Sequence, residues 1–428
     1  MSPVDVAAGL VDQARRAGMR ASEALVSWAE VVDVGLPAGG LPNVARSERV
    51  SASLRIWSAP GVYRVARGAN PAELLDRAMA SEPVSDPFDG PIATGAAVPL
   101  PGLLIEDRRR AALSIDDRIE MLGDMLTVAR NADLSAEVTD AQLRDDRTLR
   151  GFATSRGIRL AEGATTFCAK MVVRSPVQGQ SLVSRPEIRH RSLSTLLSFP
   201  FGAHAVRRLD GLRVPAGDGL PPNRSVFSTN ATAALLTAIE PLFLRPELGS
   251  GFLAHSEFDA RIVVFDDGSL AGGLRTRTFD DRGVPPGPVS LIRDGRADRF
   301  LLSPEAARTA VRSEPGHDTE GAVSVSNLVW ASGVRTMNAI LIEKARPTCW
   351  IDGFERLEVD LQTGVAEGVA HVESLVGNDA RGAWIHADVR ISLGDALKNV
   401  IDLAADTDRV GHIDSPAVWV EGVTVTPR

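Results

Sequence analysis

Three neighbouring segments decide the fold: Ala260-Arg-Ile-Val-Val-Phe-Asp-Asp-Gly268, Thr276-Arg-Thr-Phe-Asp-Asp-Arg-Gly283 and Pro288-Val-Ser-Leu-Ile-Arg-Asp-Gly295. Each is a short run containing β-branched, aromatic or aliphatic residues, and each ends in an Asp/Gly turn. Strand candidates at this spacing favour an antiparallel sheet. We therefore expect a mainly antiparallel β core in the C-terminal half of the chain.

The segments on either side complete the pattern. The tail from Ile351 to Val425 is strand-rich around one helix predicted over Leu393 to Leu403, and a short helix is predicted over Ser303 to Arg312. The N-terminal half mixes strand-like runs, such as Glu23 to Val34, with helices, such as the one that Ser114 caps. We predict an α+β fold: an N-terminal α+β region and a C-terminal domain with a large, mainly antiparallel β core.

Two Pro- and Gly-rich stretches are candidate linkers. They run from Ser81 to Leu104 and from Pro215 to Pro222 and carry little periodicity. They predict an N-terminal α+β subdomain over residues 1–90, a middle α+β subdomain over residues 105–212 and a C-terminal β-rich domain over residues 222–428.

The composition is that of a soluble globular protein. The 428 residues are 44% apolar and 24% charged, and a formal charge of −8 gives no basic surface for phosphate contacts. Cys168 and Cys349 form no disulfide framework or C-x-x-C pair. Met1 to Leu10 lacks the pattern of a secretory leader, and no stretch of about 18 apolar residues occurs. We predict a cytoplasmic protein with no nucleic-acid partner and no membrane span.

The segment Ala231-Thr-Ala-Ala-Leu-Leu-Thr-Ala-Ile-Glu-Pro-Leu-Phe243 has the shape of a zinc-peptidase helix. Such a helix presents two histidines at helical spacing and a glutamate beside the first as general base. Here the three places hold Thr237, Ala238 and Leu242. No two of the seven histidines lie three to five residues apart. A local zinc motif is therefore not expected.

Other catalytic chemistry has little support. The chain has no Gly-x-Ser-x-Gly elbow, no Walker A loop and no Gly-x-Gly-x-x-Gly fingerprint after a strand. Glu240 is a conceivable general base of a different hydrolase, although a surface charge at a helix end is the simpler interpretation. Four aspartates are conceivable metal ligands but are explained more simply as turn residues: Asp266, Asp267, Asp280 and Asp281.

Short sequence motifs in the C-terminal half resemble those of one family. Phe265-Asp-Asp-Gly-Ser-Leu270, Phe279-Asp-Asp-Arg-Gly-Val-Pro285 and Leu291-Ile-Arg-Asp-Gly295 are similar in order and spacing to the TldD/PmbA family, also described as modulators of DNA gyrase. The similarity extends through Leu301–Ser303, Ser326–Trp330, Val359–Gly368, Leu397–Ala405 and Ser415–Val425. That family pairs a zinc-bearing TldD subunit with a TldE (PmbA) subunit that lacks the helical His-Glu-x-x-x-His motif, and this chain resembles the second kind.

The resemblance implies a noncatalytic TldE/PmbA-like subunit of a heteromeric TldD/TldE zinc metallopeptidase that cleaves unfolded or precursor peptides. This chain would shape the chamber and hold an extended peptide, while a TldD-like partner supplies the zinc. We therefore expect no catalytic residue, metal ligand or cofactor in this chain. His412 lies near the place where the family's catalytic subunit supplies a cysteine to the metal, but a surface or hydrogen-bonding role is expected for it.

The same resemblance indicates a substrate contact. The turn Gln362-Thr363-Gly364, with Glu367 and Gly368, is similar to the family's glycine-bearing strand near the substrate cleft. The simpler alternative is a β-turn between two core strands, in which glycine supplies a positive φ.

Two other functions stay open at this point. One is a homodimeric peptide-binding or scaffold protein that has no zinc partner. The other, with less support, is a standalone hydrolase. A neighbouring gene for a chain with the His-Glu-x-x-x-His helix would favour the heteromeric peptidase over the scaffold.

Overall fold

A computed structural model describes residues 1–37, 40–86, 88–93, 102–133, 137–177, 180–203, 206, 224–244, 252–303, 316–319, 322–344, 347–376, 379–380 and 385–427. Two large sheets organise these residues, one in each half of the chain. No helix within these ranges is long and apolar enough to cross a bilayer.

The first sheet has eight strands. They are β1 Ala21–Pro37, β2 Asn43–Ala59, β3 Val62–Gly68, β4 Val84–Ser85, β5 Glu137–Thr154, β6 Arg159–Val177, β7 Gln180–Ser184 and β8 Glu187–His190. Their order is β4-β3-β2-β1-β5-β6-β7, with β8 also paired to β6, and every pair is antiparallel. Strands from residues 1–90 and from residues 105–212 share this sheet, because β1 pairs with β5. The predicted boundary between those two subdomains stays a prediction.

Helices cover one face of the first sheet. They are α1 Pro3–Arg16, α2 Leu74–Ala80, α3 Ile115–Ala132 and α4 Leu193–Ser198, with 3-10 turns at Pro71–Glu73 and Arg108–Ala112. In β1 the even-numbered residues Val26 and Val34 are buried in the clusters beneath α1 and α3 respectively. Side chains alternate between the faces of a strand, so both clusters lie on one face. Gly151 on β5 permits the close approach of α1, because a Cβ there would lie 2.1 Å from the Val4 nitrogen.

The second sheet has twelve strands and forms the predicted C-terminal β core. They are β9 Arg224–Phe227, β10 Val264–Asp267, β11 Pro288–Arg293, β12 Arg296–Ala297, β15 Leu328–Trp330, β16 Pro347–Asp360, β17 Val365–Val376, β18 Asp379–Ala380, β19 Ile385–Ser392, β20 Val400–Val410, β21 Ile413–Glu421 and β22 Val423–Pro427. The order is β12-β11-β10-β15-β21-β9-β16-β17-β19-β22; β18 joins β17, and β20 joins β21. Only β15–β21 and β9–β16 are parallel among these described pairs. The predicted α+β class and mainly antiparallel core are confirmed.

Short helices and one small ribbon complete the C-terminal half. They are α5 Thr229–Leu244, α6 Phe252–His255, α7 Met337–Lys344, α8 Leu393–Lys398 and the hairpin of β13 Asp318–Thr319 with β14 Ala322–Val323. Helix α5 packs on the second sheet through a large apolar cluster that includes Leu236, Leu242 and Phe243.

Two sequence predictions for this half differ from the structure. The helix predicted over Leu393 to Leu403 ends at Lys398, because Val400 begins strand β20, which pairs with β21. The segment Thr276 to Gly283 was predicted as a strand and is a series of turns. Its polar side chains make contacts with the first sheet instead of a strand ladder. The helix predicted over Ser303–Arg312 and the linker Pro215–Pro222 lie outside the described residues, apart from Ser303.

Buried ion pairs join the two halves of the chain. Arg282 in the turn segment donates from Nε to Glu23 Oε1 on β1 at 2.8 Å, and Arg55 on β2 pairs with the same carboxylate. Arg150 on β5 pairs with Asp281, the residue before Arg282. The Arg282 and Glu23 side chains are only 1% and 4% exposed. We call these five residues the interdomain joint.

Apolar packing supports the interdomain joint. The Phe279 ring lies 6.2 Å from the Phe152 ring of β5, centroid to centroid. Gly283 has a φ of 72°, and a Cβ there would lie 2.3 Å from the Phe152 ring. A side chain at position 283 would therefore push the turn segment away from the sheet.

Arg282→Ala should destabilise the protein by about 3–5 kcal/mol, because it leaves part of the buried Glu23 charge uncompensated. The matched control is Arg293→Ala, whose pair with Asp298 is exposed, with side chains 62% and 29% accessible. That change should cost less than about 1 kcal/mol. Urea unfolding of both variants measures the difference, and equal losses would refute a stabilising role for the interdomain joint.

Candidate functional site: a polar cleft beside helix α5

Helix α5 contains the segment that resembles a zinc-peptidase helix, but the three corresponding side chains are not a suitable donor set. Leu242 is fully buried in the apolar core. Thr237 is exposed, and its hydroxyl donates to the Ala233 carbonyl of its own helix at 2.8 Å. Ala238, at the third place, has no donor atom in its side chain. These three positions do not fit a zinc ion.

The other residues that the structure describes offer no alternative metal site. No group of three or more His, Cys, Asp or Glu side chains among them is arranged to hold a metal ion. The expectation that zinc belongs to a partner subunit stays a prediction.

Glu240, near the end of α5, is held on both carboxylate oxygens. Oε2 lies 2.9 Å from His412 Nε2, and Oε1 accepts from Arg275 Nη1 at 3.1 Å. Burial acts to raise the pKa of Glu240, but the hydrogen bond to His412 and the charge of Arg275 outweigh it and lower the pKa overall. The carboxylate is therefore an ionised, fully engaged acceptor.

These contacts revise the interpretation of Glu240 and His412. The Glu240 side chain is 17% exposed, so the charge expected on the surface at the helix end is instead partly buried and paired. His412 hydrogen-bonds to Glu240, in line with the role expected for it. Each side chain therefore has a fixed hydrogen-bond partner.

A second buried pair lies behind the cleft. His317 Nδ1 is 3.2 Å from Asp266 Oδ2, and the Ser326 backbone N–H donates to Asp266 Oδ1 at 2.7 Å. Burial raises the pKa of Asp266 to about 8 and lowers the pKa of His317 to about 4. Near pH 7 both groups are therefore neutral, and the contact is not an ion pair.

This cluster does not have the geometry of a catalytic triad. Ser326 Oγ lies 3.5 Å from His317 Nδ1, the same nitrogen that faces Asp266. A triad needs the acid and the nucleophile on opposite ring nitrogens. The arrangement therefore gives no support to a standalone serine hydrolase.

The aspartates of the two Asp-Asp motifs have different roles; they are Asp266, Asp267, Asp280 and Asp281. Asp280 accepts from the backbone N–H groups of Arg282 and Val284, and Asp267 accepts from that of Ser269. The turn interpretation is confirmed for these two. Asp281 instead belongs to the interdomain joint, and Asp266 faces His317.

Two adjoining cavities form a cleft between the sheets. One, of about 290 Å³, lies beside α5 and is lined by Glu240, Arg275, Asp280, His317 and Ser326 among others. The other, of about 330 Å³, lies on the polar face of the first sheet. Arg277 and Thr319 line both cavities. The cleft therefore extends from α5 to β2, with the turn segment as its shared wall.

The predicted substrate turn lies outside these cavities. Asp360 Oδ1 accepts from the Gln362 N–H at 2.9 Å, and Thr363 Oγ1 donates to Asp360 Oδ2 at 2.7 Å. Gly364 has a φ of 72°, and a Cβ there would lie 2.4 Å from the Phe252 ring. These contacts account for the β-turn between β16 and β17.

The two remaining residues of that prediction lie on β17. Glu367 makes an exposed ion pair with Arg390 at 2.6 Å. At Gly368 a Cβ would lie 2.2 Å from the Arg356 carbonyl oxygen, so glycine is needed for strand packing. A contact of these five residues with substrate stays a prediction.

Sequence reasoning missed His317, Arg275 and Arg277 as residues of the cleft. Arg277 pairs locally with Asp281, but other contacts of these residues reach far along the chain; for example, His317 and Asp266 are separated by about fifty positions. No local motif signals such a pair. Only the fold brings the turn segment, β10 and α5 together.

Comparisons with known proteins agree with this architecture. Residues 243–427 match the family model of the PmbA/TldA metallopeptidase C-terminal domain. A candidate modulator of a DNA gyrase from Thermotoga maritima has a similar crystal structure, with a TM-score of 0.83 at 15% identity over 99% of both chains. A candidate modulator of DNA gyrase from Bacteroides thetaiotaomicron has a TM-score of 0.80 at 15% identity, covering 99% of this chain and 98% of that one. TldE from Thermococcus kodakarensis has a TM-score of 0.77 at 14% identity, covering 98% and 100%.

The fold, with the matched C-terminal domain, is metallopeptidase-like. Residues 243–427 belong to the PmbA/TldA metallopeptidase C-terminal domain family, and the whole chain shares the fold of the solved modulators of DNA gyrase and of TldE. No curated protein matches its sequence significantly.

Asp266→Asn should remove a pH dependence of stability. The raised pKa means that folded Asp266 keeps a proton that the unfolded chain loses, so this group's contribution to stability falls as pH rises from about 4 to about 8. The unfolding free energy of the wild type relative to the variant should therefore fall by up to about 1.4 kcal/mol per pH unit in that window. Urea titrations from pH 6 to pH 8 measure it. A constant difference would mean that Asp266 is ionised in the folded protein.

Proposed function

We propose that this chain is the noncatalytic TldE/PmbA-type subunit of a heteromeric zinc metallopeptidase that cleaves unfolded or precursor peptides. The observation that carries the proposal is the composition of α5. In a family of metallopeptidase-like proteins, this helix buries Leu242 in the core and holds Glu240 between His412 and Arg275. The chain has the scaffold of a peptidase subunit without the donors that zinc requires.

The proposed complex divides its work between two chains. Zinc bound in the TldD-like partner supplies Lewis-acid chemistry for peptide hydrolysis. This chain closes the chamber and binds the peptide in an extended conformation, for which main-chain hydrogen bonds to a strand are the general solution. The polar cleft beside α5 is suited to backbone amides, because charged and hydroxyl groups line it.

We propose a cytoplasmic location for this complex. Cys168 and Cys349 are free and buried, and burial raises their pKa to about 11 and about 12. Such thiols are inert and compatible with a reducing compartment. A nucleic-acid partner is not proposed, since the chain carries a net charge of −8.

A homodimeric peptide-binding scaffold is the alternative function. It shares the extended-peptide ligand but has no zinc partner. The composition of α5 is equally compatible with it, so the two proposals differ only in the partner, and the experiment below separates them.

Co-expression of this chain with a zinc-bearing family member should yield a hetero-oligomer. We expect co-elution in size-exclusion chromatography, about one zinc ion per partner chain, and peptide cleavage by the mixture only. A chelator should abolish cleavage and added zinc should restore it, because the metal is the catalyst. Isolated samples of each chain are the controls. Separate elution would favour the scaffold, and cleavage by this chain alone would overturn the proposal.

We also propose that the turn Gln362-Thr363-Gly364, with Glu367 and Gly368, contacts the bound peptide. Gln362→Ala should then raise the KM of the mixture about threefold without changing kcat, since the lost contact would act on binding alone. Glycine variants are unsuitable here, because close packing at Gly364 and Gly368 would disturb the fold. An unchanged KM would limit the turn to its structural role.

A further inference from the structure

Strand β2 has a long free edge. Residues Asn43 to Ser51 pair with β1 in continuous register, from Asn43 opposite Gly35 to Ser51 opposite Ser27. Strand β3 covers only the later part of β2, because its last residue, Gly68, pairs with Ala52. No described residue pairs with the other side of Asn43–Ser51, and all nine residues are exposed. A row of backbone donors and acceptors is therefore open to another strand.

The backbone of this stretch is regular enough for such pairing. Exposed edges are usually short, bulged, charged or interrupted by proline. The stretch from Asn43 to Ser51 carries the charged residues Arg46, Glu48 and Arg49, but it contains no proline and no shift of register. Val44 and Val50 are 45% and 38% exposed, although they are apolar. An edge with these properties is able to pair with another strand.

The free edge leads directly into the second cavity of the cleft. Val50 and Ser51 at the end of the edge line this cavity, together with Gly68 and Ala69 beyond the end of β3. A strand that pairs with Asn43–Ser51 would therefore lie in line with β3, and one end of it would reach the cavity.

Two cationic side chains line the cavity and are able to pair with a further anion. Arg67 lines it and has no carboxylate partner among the described residues. Arg277 also lines it, and its Nη1 lies 3.3 Å from Asp281 Oδ1, a carboxylate already shared with Arg150. Burial and the charge of Arg150 lower the pKa of Arg277, so an anion beside it would be stabilising.

We propose that an extended peptide adds as a strand to the free edge of β2 over Asn43–Ser51 and that a carboxylate of this peptide binds between Arg67 and Arg277. The inference rests on the proposed peptide-holding function and gives it a location and a ligand preference. A guanidinium pair is the usual partner of a carboxylate, and an open strand edge is the usual partner of an extended backbone.

The carboxylate has two sources, which correspond to two directions of the peptide. A peptide parallel to β2 brings its C-terminal carboxylate to the cavity, because β2 runs from Asn43 toward Ala52. An antiparallel peptide brings its N-terminal end there, and an acidic side chain near that end would supply the charge.

Binding of three fluorescein-labelled hexapeptides to the full-length chain tests the anion site. The first has uncharged side chains and a free C-terminal acid, the second is its C-terminal amide, and the third is the amide with an aspartate near the N-terminus. We expect about tenfold tighter binding of the first or the third peptide than of the second, as for one charge-assisted contact. The peptide that gains affinity identifies the direction. Equal affinity of all three would overturn the carboxylate site.

Variants assign the site to the two arginines. Arg67→Gln and Arg277→Gln should each weaken binding of the preferred peptide about tenfold and leave the amide unchanged. Arg16→Gln, an exposed change on α1, is the matched control and should bind as the wild type does. Arg67 is exposed, so its variant keeps the test valid if Arg277→Gln does not fold. Wild-type affinity of Arg67→Gln would contradict the proposal.

Hydrogen exchange tests the free edge. Bound peptide should protect about half of the backbone amides of Asn43–Ser51, because alternate N–H groups of a strand point to one side. If bound peptide protected only amides outside Asn43–Ser51, the proposed strand pairing would be wrong. Protection without peptide, with a dimer in sedimentation, would mean that a second copy occupies the edge and would overturn the peptide proposal. These measurements use the isolated chain, so their failure is distinct from a failure to assemble with a zinc-bearing partner.

Discussion

The buried carboxylate of Glu23 holds the two halves of this molecule together. It sits on the polar face of the first sheet, where Arg55 and Arg282 converge on it from β2 and from the turn segment. Burying such a charge is costly unless it is fully paired. The turn segment therefore has to stay against the first sheet, and that contact fixes the wall shared by both cavities of the cleft.

The same constraint links the fold to the proposed function. Because the turn segment serves as a wall, Arg277 faces the polar surface of the first sheet on one side and the cavity beside α5 on the other. In the proposed function, this cleft holds an extended peptide and the partner chain supplies the chemistry. Helix α5 is consistent with this division, since its polar face is occupied by the contacts of Glu240 with His412 and Arg275.

Local patterns predicted most of the architecture. The alternating apolar runs, the Asp/Gly turns and the serine N-caps indicated an α+β chain with an antiparallel C-terminal core, and the lack of zinc ligands on α5 was visible from Thr237, Ala238 and Leu242. The prediction of a strand over Thr276–Gly283 was wrong, because Arg282 and Asp281 form long-range pairs that no local pattern reveals. The cleft was missed for the same reason: Glu240, Arg275 and His412 meet only in the folded chain.

Photo-cross-linking of a peptide in the reconstituted complex tests the division of labour most directly. A peptide with a photoreactive group would be bound to the zinc-depleted complex, irradiated and mapped by mass spectrometry on both chains. The account predicts cross-links in this chain at the cleft or at the edge of β2, in addition to those in the partner. Cross-links confined to the partner would contradict it, because this chain would then hold no substrate.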